Sequence, residues 1–522
     1  MTDHFKAIFK TDLDRNLNFT EETIEILDNK ISVYDNNKNK ILEIDNVERL
    51  DIEYGIGICK LIATDKNGKP LPKRHIFSRI KNHIDNFLKK DKKINRLIII
   101  PGLRGTGKTT LLYQIYLYLI KRKNVSRERV LFISVDDLKS LNYDLRSCID
   151  IYESKILFED LVISEEPVFL LLDEVNYDLK WALTLKVIYD KYPNIFIIAT
   201  GSSTLELEKE TNADLARRAK KEYLFPLNFI EYLKISGKIS KYPETSTFKN
   251  EILKLLNYDT FILEFTRKFF TNNEIMEIYK KIKLYSYEIE DFLKFGGFPF
   301  TALYKKDSED LLLETIKKIA YSDIPKIKDV HYSSIENSFK IIYYLAGSEK
   351  PSIENISNDL KINKYSVQNI LRLLEMSSLI FSIKPLGSEE KIIRKSWKYY
   401  FITPTIRFMI KDYLGTFKEK DIGFLLEEYI ASTLYKIQNI YDKLNIRVFY
   451  DPHKNSADFL IKTNNNKMIP VEVKFGKDRN AEKQVRNSMR RYNAEYGIII
   501  GDFELEFRDN ILYMPKELFL IL

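Results

Sequence analysis

Cysteine is almost absent from this chain of 522 residues. Its two cysteines, Cys59 and Cys148, lie far apart in the sequence. A disulfide framework or a zinc cluster needs several closely spaced ligands, so both are excluded. We expect no function that depends on thiol chemistry.

Long hydrophobic runs are also missing. No apolar stretch approaches the roughly 20 residues of a membrane-spanning helix, and residues 1–6 contain no apolar targeting segment. We therefore expect a cytoplasmic protein without a membrane partner.

The composition favours several folded domains. Hydrophobic residues make up 44% of the chain, and neither a low-complexity linker nor an internal repeat interrupts it. The formal net charge of +8 is modest for this length. Most of the surface is thus expected to be simply solvated, although local basic patches could bind nucleic acid.

A glycine-rich motif follows an apolar, strand-like run at residues 97–101 and precedes a helix-like segment. Residues 102–109 match the pattern G-x-x-x-x-G-K-T, in which backbone N–H groups and the helix start point at phosphate oxygens. Lys108 would reach the β- and γ-phosphates, and the Thr109 hydroxyl would bind Mg²⁺. ATP and Mg²⁺ are therefore the expected cofactors. The predicted nucleotide-binding residues are Gly102, Arg104, Gly105, Thr106, Gly107, Lys108, Thr109, Thr110, Asp173 and Ser202.

Two carboxylates end a second apolar run at residues 168–174. A phosphate-binding loop needs an acidic partner, and we expect this run to be the neighbouring strand of the same sheet. Asp173 would hold the Mg²⁺ shell, while Glu174 would polarise the attacking water.

Hydroxyl residues end a third apolar run, at residues 200–203. We expect them beside the γ-phosphate, and a turn with helix-capping serines is the alternative. Further along, either Arg217 or Arg218 could be an arginine finger, which neutralises charge on the transferred phosphoryl group. Surface arginines are common, so position alone does not decide this role.

Six segments occur in an order that resembles a known family. They are the glycine-rich loop with Arg104 and residues 172–176, 181–186, 200–203, 215–218 and 226–232. This order is similar to that of a prokaryotic, archaeal-type family of AAA+ ATPases with a winged helix and a C-terminal PD-(D/E)XK nuclease-like domain. The match covers about residues 74–522.

The resemblance implies that Arg217 or Arg218 is the family's conserved arginine and that residues 295–299 are its helical-domain signature. Gly105 and Asn176 depart from the family pattern, which has an arginine and a glutamine there. Neither departure removes a phosphate or metal contact.

Five regions are predicted along the chain. A small β-rich module at residues 1–70, loosely similar to pleckstrin-homology-like folds, has strands expected at residues 23–27, 30–34, 41–44 and 56–63. The predicted fold is otherwise α/β. It comprises a P-loop AAA+ domain with a doubly wound parallel sheet at residues 71–235, a helical lid at 236–332, a winged helix at 333–415 and a C-terminal α/β restriction-endonuclease-like domain at 416–522.

The predicted winged helix has a polar helix face. Residues 352–360 and 364–376 would be its paired helices, followed by two wing strands near residues 381–384 and 399–402. Lys364, Gln368 and Arg372 recur every four residues, so they would form one face able to enter a major groove. Charged helix faces are often only solvated, and such domains also dock proteins.

A second candidate catalytic site lies near the C-terminus. A hairpin would place Asp458 beside the strand that carries Glu472 and Lys474, which share one face because they are two residues apart. The carboxylates could bind Mg²⁺ or Mn²⁺, and the lysine could position or deprotonate a bound water.

The resemblance adds Glu427 to this site as a metal-ligating carboxylate and residues 484–492 as the supporting helix. Ser456 and Ala457 depart from the family pattern, which has acidic residues before the metal-binding aspartate. The alternatives are a hairpin whose charges merely face water and a domain that binds without cutting.

These features predict an ATP-hydrolysing AAA+ protein that couples its nucleotide state to DNA binding and to Mg²⁺-dependent DNA processing. The expected partners are DNA, further copies of the chain and a protein partner for residues 1–70. One rival is a signalling or scaffold switch whose nuclease-like domain only docks protein or RNA. Another is a nuclease in which ATP is structural, so that its cleavage is indifferent to Glu174→Gln.

Overall fold

The computed structural model describes most of the chain. The described residues are 23–27, 30–34, 40–45, 70–89, 95–202, 215, 217–257, 262–323, 332–348, 351–388, 396–440, 445–476 and 480–522. They fall into two compact units. The first contains the described residues up to 101, 108–201 and 215–222, and the second contains 102–107, 202 and 223–522.

Three antiparallel strands form the N-terminal sheet. They are β1 (Thr23–Leu27), β2 (Lys30–Tyr34) and β3 (Lys40–Asp45), paired in that order. The first three predicted strands are therefore present. The fourth, predicted at residues 56–63, lies outside the described residues.

Five parallel strands form the main sheet of the first unit. Their order is β5 (Val130–Ser134), β6 (Val168–Asp173), β7 (Ile195–Gly201), β4 (Leu97–Pro101) and β8 (Ala219–Lys221). Every residue of β4, β6 and β7 is buried, as strands covered on both faces require. The predicted α/β fold with a parallel sheet is confirmed.

Within the described residues, five α-helices accompany this sheet. They are α1 (His75–Leu88), α2 (Lys108–Lys123), α3 (Val135–Ser140), α4 (Leu145–Ile151) and α5 (Trp181–Lys191). The helix α1 shows the usual amphipathic pattern, since it buries Ile76, Phe77, Ile80 and Ile84 on one face.

The expectation that the acidic strand is the neighbour of the glycine-loop strand is wrong. β7 lies between β4 and β6 and pairs with both. Because the carboxyl ends of parallel strands meet at one edge of a sheet, β6 still brings Asp173 to the start of α2. The carboxyl end of β7 lies at the same edge, between the ends of β6 and β4.

The second unit begins with a helical region. Its helices are α6 (Phe229–Ile235), α7 (Ser246–Leu256), α8 (Ile262–Thr271), α9 (Asn273–Lys283), α10 (Ile289–Phe295), α11 (Pro299–Tyr304) and α12 (Glu309–Lys318). Three helices and a hairpin follow, namely α13 (Tyr332–Gly347), α14 (Ile353–Leu360), α15 (Lys364–Met376), β9 (Ile380–Pro385) and β10 (Lys398–Phe401).

An eight-stranded mixed sheet ends the chain. Its order is β10, β9, β11 (Arg447–Tyr450), β12 (Phe459–Lys462), β13 (Met468–Val473), β14 (Gly497–Gly501), β16 (Ile511–Pro515) and β15 (Glu506–Arg508). The helices of this part are α16 (Pro404–Tyr413), α17 (Ile422–Ile440), α18 (Asn480–Tyr492) and α19 (Lys516–Phe519).

The hairpin of β9 and β10 is part of this last sheet, because β9 pairs in parallel with β11. One hydrophobic cluster also runs through the helical region, the hairpin and the C-terminal sheet. The predicted boundaries between residues 236 and 522 thus stay predictions. Among the described helices, none is long and apolar enough to cross a membrane.

Candidate functional site

The glycine-rich loop has the backbone shape that its sequence predicts. Gly105 and Gly107 have φ angles of +85° and +95°, which residues with a Cβ rarely adopt. The Thr106 hydroxyl donates to the Leu103 carbonyl oxygen at 2.7 Å, which tightens the turn. α2 begins at Lys108, directly after the loop. A tight turn followed at once by a helix start is the arrangement that binds phosphate.

Lys108 lies beside the predicted catalytic acid. Its side chain is only 4% exposed, and its Nζ is 3.4 Å from Glu174 Oε1. Glu174 follows β6 in a left-handed backbone conformation with φ +51°. This conformation costs about 1 kcal/mol for a non-glycine residue, and such strain is typical of functional sites.

Asp173 connects the start of α2 with the end of β7. It accepts a hydrogen bond from Thr109 Oγ1 at 2.5 Å and another from the Thr200 hydroxyl. The Thr200 hydroxyl also accepts a hydrogen bond from the Glu174 N–H at 3.2 Å. Burial raises the pKa of Asp173, and the adjacent Glu174 carboxylate raises it further. A hydroxyl and a buried carboxylate are oxygen ligands of the kind that Mg²⁺ prefers, so these residues fit that ion.

Thr200 was not among the residues predicted to bind nucleotide. Of the hydroxyl residues after β7, the prediction named Ser202, which is buried. Thr200, however, is the residue that contacts both Asp173 and Glu174. Thr200 makes these contacts because β7 lies between β4 and β6. The sequence pattern does not indicate the order of the strands.

The two adjacent arginines have different surroundings. Arg218 makes a two-pronged ion pair with Asp190 on α5, with nitrogen–oxygen distances of 2.7 and 2.9 Å. Arg217 is exposed and forms no ion pair within the part of the chain that the structure describes. Arg218 is thus paired within its own chain, whereas Arg217 has no ion-pair partner among the described residues.

The predicted C-terminal hairpin brings Asp458 and Glu472 together. β12 and β13 are antiparallel with Phe459 opposite Val471, so the two carboxylates lie across from each other. The Asp458 N–H donates to Glu472 Oε2 at 3.1 Å, and the Val473 N–H donates to Asp458 Oδ2 at 3.0 Å. Lys474 Nζ is 3.0 Å from Glu472 Oε1.

Burial makes these carboxylates hard to ionise. It raises the pKa of Glu472 to about 8, with the Asp458 carboxylate adding to the effect. It also raises the pKa of Asp458 to about 6, and there Glu427 adds to the effect. A buried pair of acids is stabilised by a cation, and divalent metals are the cations that two carboxylates commonly bind.

Glu427 on α17 lies within electrostatic range of Asp458, but two other side chains hold it. Tyr400 donates to Glu427 Oε1 at 2.7 Å, and Lys398 Nζ is 3.6 Å from the same oxygen. Sequence reasoning missed both residues because they belong to β10, which was assigned to a separate domain.

Glu427, Asp458 and Glu472 are not arranged as a metal site of three carboxylates. Across the described ranges, no group of three or more His, Cys, Asp or Glu side chains is arranged to hold a metal ion. Asp458 and Glu472 are the pair in direct contact, and the Lys474 ammonium is next to them. The donor set therefore fits a metal ion held by two carboxylates and completed by water or substrate oxygens.

The predicted polar face of α15 is exposed. Lys364, Gln368 and Arg372 are all exposed, and the neighbouring Tyr365 is 81% exposed. The buried residues of α15 are apolar, namely Val367, Ile370, Leu371, Leu373 and Leu374.

The parallel sheet and its phosphate-binding loop define the class of this protein. A family model described as an AAA domain matches residues 94–233, so this part of the chain is a P-loop ATPase domain of the AAA+ type. That assignment supports nucleotide hydrolysis. A second model, a domain of unknown function (DUF8612), matches residues 286–420.

The chain belongs to the same family as "Uncharacterized protein MJ1637" of Methanocaldococcus jannaschii. The two are 35% identical over 457 residues, which cover 86% of this chain and 89% of the relative. "Uncharacterized protein MJ1544" of the same organism is 27% identical over 409 residues, covering 75% of this chain and 78% of that one.

Solved structures of Aeropyrum pernix proteins are similar at a lower level. The ORC2 protein, solved as ADPNP-ADP complexes, has 11% identity and a TM-score of 0.31, covering 67% of this chain and 98% of that chain. The ORC1 protein, solved in complex with DNA, has 10% identity and a TM-score of 0.28, covering 66% and 94%. Similarity at this level does not extend to function.

Proposed function

We propose that this protein hydrolyses ATP in its AAA domain, couples the nucleotide state to DNA binding, and processes DNA at a second, metal-dependent site. The observation that carries the ATPase part is a pair of contacts: Thr109 donates a hydrogen bond to Asp173, and Lys108 lies next to Glu174. These four side chains come from two segments far apart in the sequence, the start of α2 and the end of β6, and the fold brings them into contact.

Each residue of the ATP site has a distinct role in this proposal. Lys108 contacts the β- and γ-phosphates, while Thr109 and Asp173 would hold Mg²⁺, which neutralises phosphate charge when bound. Glu174 accepts a proton from the attacking water. Thr200 fixes the relative positions of Asp173 and Glu174 through its hydroxyl.

DNA binding is proposed for α14, α15 and the hairpin of β9 and β10, acting as a winged helix with α15 in the major groove. The exposed row of Lys364, Gln368 and Arg372 supports this role, because amide and cationic side chains bind bases and phosphates. Lys364 forms an exposed ion pair with Glu354 at 3.0 Å. Such surface pairs are weak, so a DNA phosphate can replace the glutamate.

The C-terminal site is proposed to cleave DNA phosphodiester bonds. Asp458 and Glu472 would hold Mg²⁺ or Mn²⁺, and Lys474 would position the attacking water beside them. The support is the antiparallel hairpin, which brings all three side chains to one place.

A cleavage and ATPase assay over duplex, single-stranded and branched DNA tests the proposal. The wild type should cut at least one substrate with Mg²⁺ or Mn²⁺. Asp458→Ala should abolish cutting and leave ATP hydrolysis intact, and Asp509→Asn, at a residue with a 74% exposed side chain, should change neither.

Each part of the proposal has its own contrary outcome. A wild type that binds no divalent metal and cuts none of the DNA panel would remove the nuclease part. Cleavage that ignores Glu174→Gln would mean that ATP is only structural. Failure of DNA to stimulate ATP hydrolysis would favour a signalling or scaffold switch.

A further inference from the structure

Two side chains of β10 contact a carboxylate of the proposed C-terminal site. Lys398 and Tyr400 are two residues apart and so share one face of the strand. Both reach Glu427 Oε1, at 3.6 Å for Lys398 Nζ and 2.7 Å for the Tyr400 hydroxyl. Because β9 pairs with β11, this hairpin and the Asp458 hairpin belong to one sheet.

The Lys398 ammonium lies near two aromatic rings and belongs to a partly exposed side chain. It lies 5.5 Å from the centre of the Tyr450 ring and 5.8 Å from that of Phe459, which shield it from much of the solvent. Its side chain remains 20% exposed, close to the 23% of Lys474. Two lysines thus border the carboxylate group while Glu472 is fully buried.

Lys398 interacts with more than its nearest acid. Its ammonium interacts electrostatically with Glu427, Asp458 and Glu472. When all are ionised, these three carboxylates and the lysines at 398 and 474 carry one net negative charge. A divalent ion held by Asp458 and Glu472 would change this to one net positive charge, which a phosphodiester monoanion neutralises.

We propose that Lys398 is a substrate-contacting residue of the C-terminal site and binds a phosphate of the DNA strand held there. Tyr400 fixes Glu427, and Glu427 in turn holds the Lys398 ammonium in place. The site is therefore built from two hairpins of one sheet. This inference rests on the proposed DNA-processing function.

The test measures the salt dependence of DNA binding as well as cleavage. A fluorescent duplex and its single strand are titrated with the full-length protein in Ca²⁺, and cleavage is then measured in Mg²⁺. Lys398→Met removes the charge and keeps the apolar stem, and Lys398→Arg restores a cation. Lys281→Met is the matched control, since Lys281 has a 67% exposed side chain on α9, outside the elements proposed to bind or cut DNA.

The logarithm of the DNA association constant falls linearly with the logarithm of the salt concentration. Loss of one phosphate contact should make this slope less steep by about one. Lys398→Met should show this reduction and cut at least about tenfold more slowly, Lys398→Arg should recover the slope, and Lys281→Met should match the wild type. Thermal unfolding checks each variant, and Lys398→Gln replaces Lys398→Met if the latter does not fold.

The outcomes separate this inference from the proposed function. A wild type that cuts DNA, with Lys398→Met equal to it in slope and rate, overturns the role of Lys398 and leaves the nuclease proposal standing. A wild type that binds DNA without cutting removes the nuclease proposal, while a reduced slope for Lys398→Met still supports the phosphate contact. A wild type that binds no DNA overturns both.

Discussion

Thr200 connects the two acids of the ATP site through a single hydroxyl group. Thr200→Val keeps the branched shape but leaves a buried Asp173 oxygen without this donor, and such a loss is worth about 1–3 kcal/mol. We expect ATP hydrolysis to slow by about 5- to 150-fold, measured as kcat. The control is Thr184→Val, at a buried threonine of α5. An unchanged kcat in Thr200→Val would remove this residue from the mechanism.

Lys108 is expected to serve phosphate binding more than folding. Lys108→Ala removes a hydrogen bond to a charged group, worth about 1.5–3 kcal/mol, so ATP affinity should fall by about 10- to 150-fold. Titration calorimetry measures the affinity, and thermal unfolding checks that the variant is folded. Equal ATP affinity in a folded variant would contradict the assignment of the phosphate-binding loop.

At the scale of elements, the Asp451 carboxylate connects α18 to the segment between β11 and β12. It is fully buried and accepts hydrogen bonds from Ser488 Oγ at 2.7 Å, Arg491 Nη1 at 2.9 Å and the Tyr492 hydroxyl at 3.1 Å. His453 Nδ1 lies 2.8 Å from the same carboxylate. These contacts fix the helix that supports the hairpin of Asp458 and Glu472.

Asp451→Ala should lower the thermal unfolding temperature strongly, since breaking a buried ion pair from one side costs about 3–5 kcal/mol. Burial disfavours the charged carboxylate, but hydrogen bonds from Ser488 and His453 outweigh it and hold the pKa of Asp451 below its usual value. A lowered folded-state pKa stabilises the fold above the unfolded value of about 3.9, and the gain is lost as pH falls through the folded value.

The gap in unfolding temperature between wild type and Asp451→Ala should therefore be widest near neutral pH and narrow below about pH 4. The exposed Asp509→Asn should show little change at any pH. A gap that stays constant from neutral to acidic pH would contradict this role for the carboxylate.

The elements also show what the sequence could and could not predict. Alternating and apolar runs located β4, β6, β7 and the hairpin of β12 and β13, because burial on one face or both leaves a clear pattern. Strand order leaves no such pattern, so the insertion of β7 beside β4 and the pairing of β9 with β11 were missed. Asp173 and Glu174 were predicted from their position at the end of a strand, and Asp458 and Glu472 from the hairpin pattern. The roles of Thr200 and Lys398 depend on the strand order, which was not predicted.

At the scale of the whole molecule, an arginine finger can act within its own chain or across a subunit interface. Arg218 is paired with Asp190 in its own chain, so Arg217 is the better candidate for an arginine finger. Arg217→Ala should lower kcat by about 10³-fold or more, whereas Arg218→Ala should have a smaller effect.

Mixing subunits tests whether this arginine acts between chains. Glu174→Gln and Arg217→Ala proteins, each inactive alone, should regain hydrolysis when mixed if an intact acid in one subunit meets an intact arginine of another. Persistent inactivity in an oligomer shown to contain both variants would place the arginine and the acid in the same chain.

The central claim is that ATP hydrolysis in the AAA domain is coupled to DNA. Its most direct test is the steady-state rate of ATP hydrolysis by the full-length protein, measured with and without duplex DNA, with Glu174→Gln as the matched inactive variant. The account predicts that DNA raises the wild-type rate and that Glu174→Gln binds ATP but hydrolyses it at least about 100-fold more slowly, with or without DNA. A wild-type rate that DNA leaves unchanged, or that Glu174→Gln shares, would contradict the account.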